Sequence, residues 1–164
     1  MTPRVGQGFD AHRLAPGRPL WLGGIEIPHG RGLVGHSDGD VLLHAITRAL
    51  LGALAAGDLG QHFPSGDERW RGAASGLFVR EAVERARRAG YVVGNLDATV
   101  IAEAPRLAPH QEAMRRSVAA LLDAKLELVN IQITSTDGLG AIGRGEGIAA
   151  QAVVLLEAAQ GGSA

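Results

Sequence analysis

GHSDGDVLLHAITRALLGAL, residues 35–54, sets the architecture of this chain. From Val41 onward it is almost wholly apolar, its few polar members being His44, Thr47 and Arg48, and the run continues to Gly57. Ser37 stands three residues before Asp40, a capping-box-like helix opening in which the serine hydroxyl satisfies a free backbone N–H. The spacing therefore predicts an apolar helix that carries His44. Asp40 lies one turn before His44, where its carboxylate either accepts the imidazole N–H and orients the ring or only stabilises the helix N-terminus. His44 is either a ligand or a buried histidine satisfied by a backbone carbonyl.

Working outward, residues 4–9 read as a strand. LWL (20–22) and IEI (25–27) flank Gly23-Gly24, a two-residue hairpin signal at which a sheet edge begins. The segment 58–76 lacks periodicity and reads as a long loop, a kind of segment that often carries function. Apolar residues at 78, 79, 82, 83, 86 and 89 have helical spacing, and Gly90 closes that helix. Residues 91–102 alternate and are rich in β-branched side chains, so they read as a strand. Pro105 and Pro109 punctuate a turn into a helix over 110–123, a strand follows at 128–134, and a final helix over about 148–159 is expected after GLGAIGRGEG. This order predicts a mixed α+β fold: a four-stranded mixed sheet, helices mainly on one face and the small β-hairpin beside it. No repeat or linker divides it, so one domain is expected over 1–160, with a disordered tail at 161–164.

At 164 residues such a domain buries a core without staples. Lys+Arg 16 against Asp+Glu 17 leaves a net charge of −1, which gives nucleic acid no purchase. No run approaches the roughly 18 apolar residues of a membrane span, and the N-terminus reads as a strand instead of a signal peptide. A cytoplasmic protein with no membrane partner is expected. The absence of Cys removes thiol catalysis and disulfide frameworks.

One carboxylate and two imidazoles stand out: Asp10, His12 and His44. If the first strand extends that far, Asp10 and His12 project from one face; read alone, Asp10-Ala11-His12 is more simply a strand-end turn. Three such ligands suit a divalent metal and leave a position open, as catalytic zinc sites do, and the formal +1 charge of the filled site suits a phosphate oxygen. His36, Ser37, Asp38 and Asp40 crowd a helix N-terminus, where free N–H groups favour anions and Ser37 also serves as an ordinary cap. Thr134, Ser135, Thr136 and Asp137 end a strand with three hydroxyls and a carboxylate, a set that serves phosphate and a hard cation or is merely a polar strand end. Gly138, Gly140 and Gly143 match G-x-G-x-x-G, but the second strand and acidic residue of a dinucleotide fold are missing.

Taken together and in register, GFDAHRL, GHSDGDVLLHA, GDLGQHFP, AEAPRLAPH and GRGEGIA resemble the 2-C-methyl-D-erythritol 2,4-cyclodiphosphate synthase family of the non-mevalonate isoprenoid pathway. The resemblance covers nearly the whole chain. It implies closure of a cyclodiphosphate ring by metal-assisted intramolecular phosphoryl transfer, with release of CMP from a cytidine diphosphate substrate. It further implies one Zn²⁺ per subunit on Asp10, His12 and His44, with Mg²⁺ or Mn²⁺ bridging the substrate phosphates. His36 and Ser37 match residues that contact the phosphates, and His36 and Ser135 match groups that stabilise the transition state. Asp58 and Gly60 match a loop at the substrate hydroxyls, and Phe63, Pro64, Ser65, Gly66 and Asp67 match a mobile loop over the methylerythritol unit. Ala102, Glu103 and Ala104, followed by Pro105, Arg106, Leu107 and Ala108, match the cytosine pocket. Thr134, Ser135, Thr136 and Asp137 match the phosphate-contacting strand end. The family assembles as homotrimers with sites between subunits, and Ala141, Arg144 and Glu146 fall near an axial cavity that can hold isoprenoid diphosphates.

Four positions depart from the family pattern. Ser135 replaces a Thr and keeps the hydroxyl. Asp137 replaces a Glu and reaches less far toward a bridging cation. Ala141 replaces an aromatic of the axial cavity, and Arg48 stands where some relatives carry an acid. Two other functions use the same residues: a mononuclear zinc hydrolase, which needs a general base such as Asp40 or His36, and a non-enzymatic trimer that binds isoprenoid diphosphates.

Overall fold

The computed structural model describes residues 1–159, and the tail expected at 161–164 lies outside them. The chain begins with β1 (Arg4–Pro16), β2 (Leu20–Leu22), β3 (Ile25–Ile27) and β4 (Arg31–Leu33), followed by α1 (Val41–Ala53) and the short α2 (Leu59–His62). It continues through α3 (Gly76–Arg88), β5 (Tyr91–Ile101), α4 (Gln111–Leu122), β6 (Val129–Thr134), α5 (Gly140–Gly143) and β7 (Gly147–Ala158).

The main sheet has five strands in the order β4-β1-β7-β5-β6, not the four expected, and β2 and β3 form a separate two-stranded sheet. Only β5 and β6 run parallel; the other neighbours are antiparallel. The largest correction is β7. The segment expected as a final helix is a strand between β1 and β5, paired with β1 from Arg4↔Leu156 to Arg13↔Gly147. A central strand can be apolar on both faces. Here Ala150, Ala152, Val154 and Leu156 point into the core while Val153 and Leu155 occupy the other face, so the period of two is masked by helix-forming Ala and Leu. The second correction is β4, a three-residue strand where no strand is expected.

The helices lie on one face of the sheet, as expected. Every residue of α1 except Arg48 and Gly52 is buried, because the helix lies between the sheet and α3. Its Leu42, Leu43, Ile46, Leu50 and Leu51 are fully buried, each contributing roughly 1.5–3 kcal/mol. Side chains alternate along β1 so that Gly6, Gly8, Asp10 and His12 all point toward α1. A Cβ on Gly6 would lie 1.9 Å from the Ala49 carbonyl oxygen, and one on Gly8 would lie 1.9 Å from that of Ala45. Glycine on the strand and alanine on the helix thus allow backbone-to-backbone approach.

The opposite sheet face carries no helix among the described residues. Val5 and Phe9 of β1 and Val153 of β7 are exposed there, at 67%, 55% and 41%. Beside them Asp97 accepts hydrogen bonds from Asn130 and Gln132. Among the described residues, no helix is long and apolar enough to cross a membrane.

Candidate active site

Because β1 runs on to Pro16, past the end expected at residue 9, Asp10 and His12 leave the strand on the same side. The tight β1–α1 contact then brings His44 down on them. His12 Nε2 lies 2.9 Å from Asp10 Oδ2, His44 Nδ1 lies 3.0 Å from the same oxygen, and the two ring nitrogens are 3.1 Å apart. These edges are close to the ~3.3 Å edge of a tetrahedron drawn with ~2.0 Å metal–ligand bonds. The three residues are the group of convergent ligands found among the described residues.

Hydrogen bonds to the far side of each ring decide which nitrogen faces the centre. His12 Nδ1 donates to the Val34 carbonyl at 2.6 Å, which leaves Nε2 for a metal. His44 Nε2 lies 2.9 Å from Ser75 Oγ and 3.1 Å from Ser37 Oγ, which leaves Nδ1. The Ser75 hydroxyl donates to Asp38 and its backbone N–H donates to the same carboxylate, so the chain Asp38–Ser75–His44 fixes the tautomer. Asp40 does not orient His44. Its carboxylate accepts from the N–H groups of Gly23, Gly24 and Leu43, and it, not Ser37, caps α1. The hairpin turn is thereby tied to the helix start.

Burial raises the Asp10 pKa, but hydrogen bonds from His12 and His44, with their charge, more than offset it and hold the carboxyl well below the usual carboxylate range. The Asp10 carboxylate raises the His12 pKa against burial, and the Arg48 charge opposes it. Burial raises the pKa of Asp40, against the three N–H groups aimed at it.

The three ligands open on a cavity of about 240 Å³ that is also lined by His36, Ser37, Arg48, Gly60, Phe63, Ser65, Trp70 and Phe78. His36 Nε2 donates to the Asp67 carbonyl, tying the loop before α1 to the segment 63–67. Pro64 and Gly66 are exposed, and Asp67 caps a 3₁₀ turn at Glu68–Trp70. Asp58 is a helix cap: its carboxylate accepts from Gln61 N–H and the Gln61 side chain accepts from Asp58 N–H. The D-x-x-Q spacing signals this box, so part of the segment expected as loop is helix. Phe63, Trp70 and Phe78 pack together, Trp70 edge-on to both phenylalanines and the Phe63 and Phe78 ring centres 4.4 Å apart. A larger hollow of about 360 Å³ between the hairpin, α3 and α4 touches Asp38 but none of the three ligands.

The remaining residues expected at the site form a second group. Ile101 of β5 pairs with Thr134 of β6, so 102–108 and 134–137 leave the sheet side by side. Glu103 fastens them, accepting from the N–H groups of Thr136 and Gly138, which lowers its pKa. Ala102 and Leu107 are buried; Glu103, Ala104, Arg106, Ala108, Thr134, Ser135 and Asp137 are not. None of them lines the cavity at the three ligands. Three strand steps separate β1 from β6, roughly 14 Å at ~4.8 Å each. Ala141 lies on α5, and Arg144 pairs with Glu146 at 2.9 Å in an exposed contact. Sequence reasoning missed Ser75, which has no spacing relationship to His44.

An α+β fold that sets three potential metal-ligating atoms at a cavity walled by both polar and aromatic side chains defines the class of enzymes built around a metal site. Comparison narrows that class. The chain matches the model of the YgbB family over residues 3–157. A curated relative from Shouchella clausii, named 2-C-methyl-D-erythritol 2,4-cyclodiphosphate synthase, is 55% identical over 157 residues, spanning 96% of this chain and 99% of its own. A solved synthase of that name, in a form bound to CDP, superposes with TM-score 0.87 at 39% identity, spanning 94% of this chain and 100% of that one. The bifunctional IspDF of Campylobacter jejuni gives TM-score 0.92 at 38% identity over 96% of this chain but only 42% of its own length. The chain belongs to the YgbB family.

Proposed function

We propose that this protein converts 4-diphosphocytidyl-2-C-methyl-D-erythritol 2-phosphate to 2-C-methyl-D-erythritol 2,4-cyclodiphosphate and CMP, in the non-mevalonate isoprenoid pathway. The 2-phosphate oxygen attacks the β-phosphorus, the bond from that phosphorus to the CMP oxygen breaks, and the ring closes. No protein nucleophile is needed, so the chain's task is to align two anionic groups and offset their repulsion. The observation that carries this is the convergence of Asp10, His12 and His44 on one side of a cavity lined by His36, Ser37 and Gly60.

Asp10, His12 and His44 are the residues that would hold zinc, and the donor set, one carboxylate and two imidazoles with their tautomers fixed, fits it. Bound there, zinc would supply positive charge to a phosphate oxygen, and Mg²⁺ or Mn²⁺, for which Asp137 is the candidate carboxylate, would offset the charge of the diphosphate. His36 and Ser37 contact the phosphates, Ser135 donates to the charge that develops on them, and Asp58 and the segment 63–67 enclose the methylerythritol unit. The 102–108 segment receives the cytosine.

The two groups of site residues belong to one active site when copies of the chain assemble as a homotrimer, one subunit giving the metal ligands and its neighbour the cytidine pocket. The uncovered sheet face bearing Val5, Phe9 and Val153 supports an assembly of this kind. An isoprenoid diphosphate in an axial cavity near Ala141 and Arg144 belongs to the same picture. A hydrolase would need a base beside the metal, and both candidates are engaged: Asp40 with three N–H groups and His36 with the Asp67 carbonyl.

Phosphorus NMR of the products from the cytidyl substrate, with Zn²⁺ and Mg²⁺ present, tests the proposal. A cyclic diphosphate with CMP is expected, and His44→Ala should abolish it. A linear product would favour hydrolysis.

A further inference from the structure

Arg48 is the one charged side chain on a helix otherwise sunk in the core. It lies one turn after His44, so the two side chains share a helix face, and it lines the cavity with the three ligands. Its Nε is buried with no hydrogen-bond partner. None of the ion pairs among the described residues includes it. Arg48 is half-buried, and burying even one guanidinium N–H without a partner or counter-charge carries a cost; the local acids are committed elsewhere. Among the described residues, Asp10 is the only carboxylate on the cavity wall, and it serves His12 and His44. With a divalent cation in place, that wall would carry a surplus of two positive charges, the cation and the guanidinium against the one Asp10 carboxylate. The missing partner is an anion that arrives with the substrate.

We propose that Arg48 is a substrate-binding residue, whose guanidinium holds the phosphate that the metal does not. This rests on the synthase reading of the same cavity. A guanidinium fork matches a phosphate with two parallel N–H···O bonds, which fixes its orientation as well as its charge. Such a contact screens the attacking phosphate from the diphosphate while leaving its free oxygen aimed at phosphorus. No hydrogen bond or ion pair within the described residues engages this guanidinium, so a bound phosphate would be its partner.

The test uses Arg48→Gln and Arg48→Lys in the zinc-loaded protein, with zinc content and thermal melting checked against wild type. Inorganic phosphate is the probe, followed by phosphorus line broadening and calorimetry, neither of which needs turnover. Arg48→Gln should weaken phosphate binding roughly 10- to 100-fold, the share of a charge-assisted hydrogen-bonded contact. Arg48→Lys keeps the charge but loses the fork and should fall between; it also decides the matter if the Gln variant does not fold. With the cytidyl substrate, kcat/KM should fall by the same order. Phosphate binding within twofold of wild type in either folded variant overturns the proposal. If wild type makes no cyclic product, the synthase reading fails, and the phosphate titration still decides the role of Arg48.

Discussion

Gly8 and Ala45 stand so close that a methyl group on the glycine would meet the alanine carbonyl oxygen at 1.9 Å. Backbone cannot give way as a flexible side chain can, so any Cβ at position 8 pushes α1 off β1 and takes His44 away from Asp10. Gly8→Ala should cost about 3 kcal/mol or more in urea unfolding, at the upper end for overpacking, and should weaken zinc binding with it. A loss under about 1 kcal/mol would show that the helix shifts freely.

Ser75→Ala removes the acceptor at 2.9 Å that orients His44, leaving Ser37 at 3.1 Å as the alternative. Zinc affinity, measured by chelator competition, should drop roughly tenfold, the lower bound for losing a residue that orients a ligand. The double change with Ser37→Ala should drop it further. Unaltered affinity in the double variant would mean that the ring is held by packing against Phe78 alone.

In metal-free protein the Asp10 carboxylate raises the His12 pKa above 6.5. The folded state then binds the proton more tightly than the unfolded chain. This stabilisation is fully present below about pH 6.5 and is lost as pH rises through the higher folded value. Asp10 is shifted the other way, so its contribution is present above 3.8 and lost on acidification. Chelator-treated protein should melt at a lower temperature at about pH 8 than at about pH 6, while metal affinity rises over the same span as the proton is released. A melting temperature that climbs over this range would contradict the His12–Asp10 pairing.

Ser135→Ala should lower kcat roughly 10²-fold, by analogy with loss of an oxyanion donor. The hydroxyl is exposed and its contacts are weak, at 3.4 Å to the Asp137 carboxylate and 3.2 Å from the Asp137 N–H, so the fold should not suffer. A change under threefold with unaltered melting would remove Ser135 from the reaction.

Sequence pattern reveals features whose cause is local. Asp10 and His12 share a face by the period of two, α1 shows its apolar length, and Gly23-Gly24 marks a turn in which both residues take positive φ. Ser75 reaches His44 across 31 positions, and nothing local announces it. Asp40 outcompetes Ser37 for the cap because the hairpin, distant in sequence, presents two N–H groups to the same carboxylate. Strand β7 is hidden for another reason: Val153 and Leu155 place apolar residues on the uncovered face as well, and its Ala and Leu favour helix, so periodicity carries little information. The fifth strand therefore emerges only from pairing with β1 and β5, which no single segment encodes.

The roughly 14 Å between the ligand end of β1 and the hydroxyl end of β6 has a genetic consequence. In a cyclic homotrimer each junction would join one half from each neighbour. His44→Ala chains, defective in the first half, and Ser135→Ala chains, defective in the second, are each impaired alone. When subunits are exchanged between them, every mixed ring gains one junction built from two unaltered halves. Two alleles that are each impaired alone should therefore complement one another in a single cell.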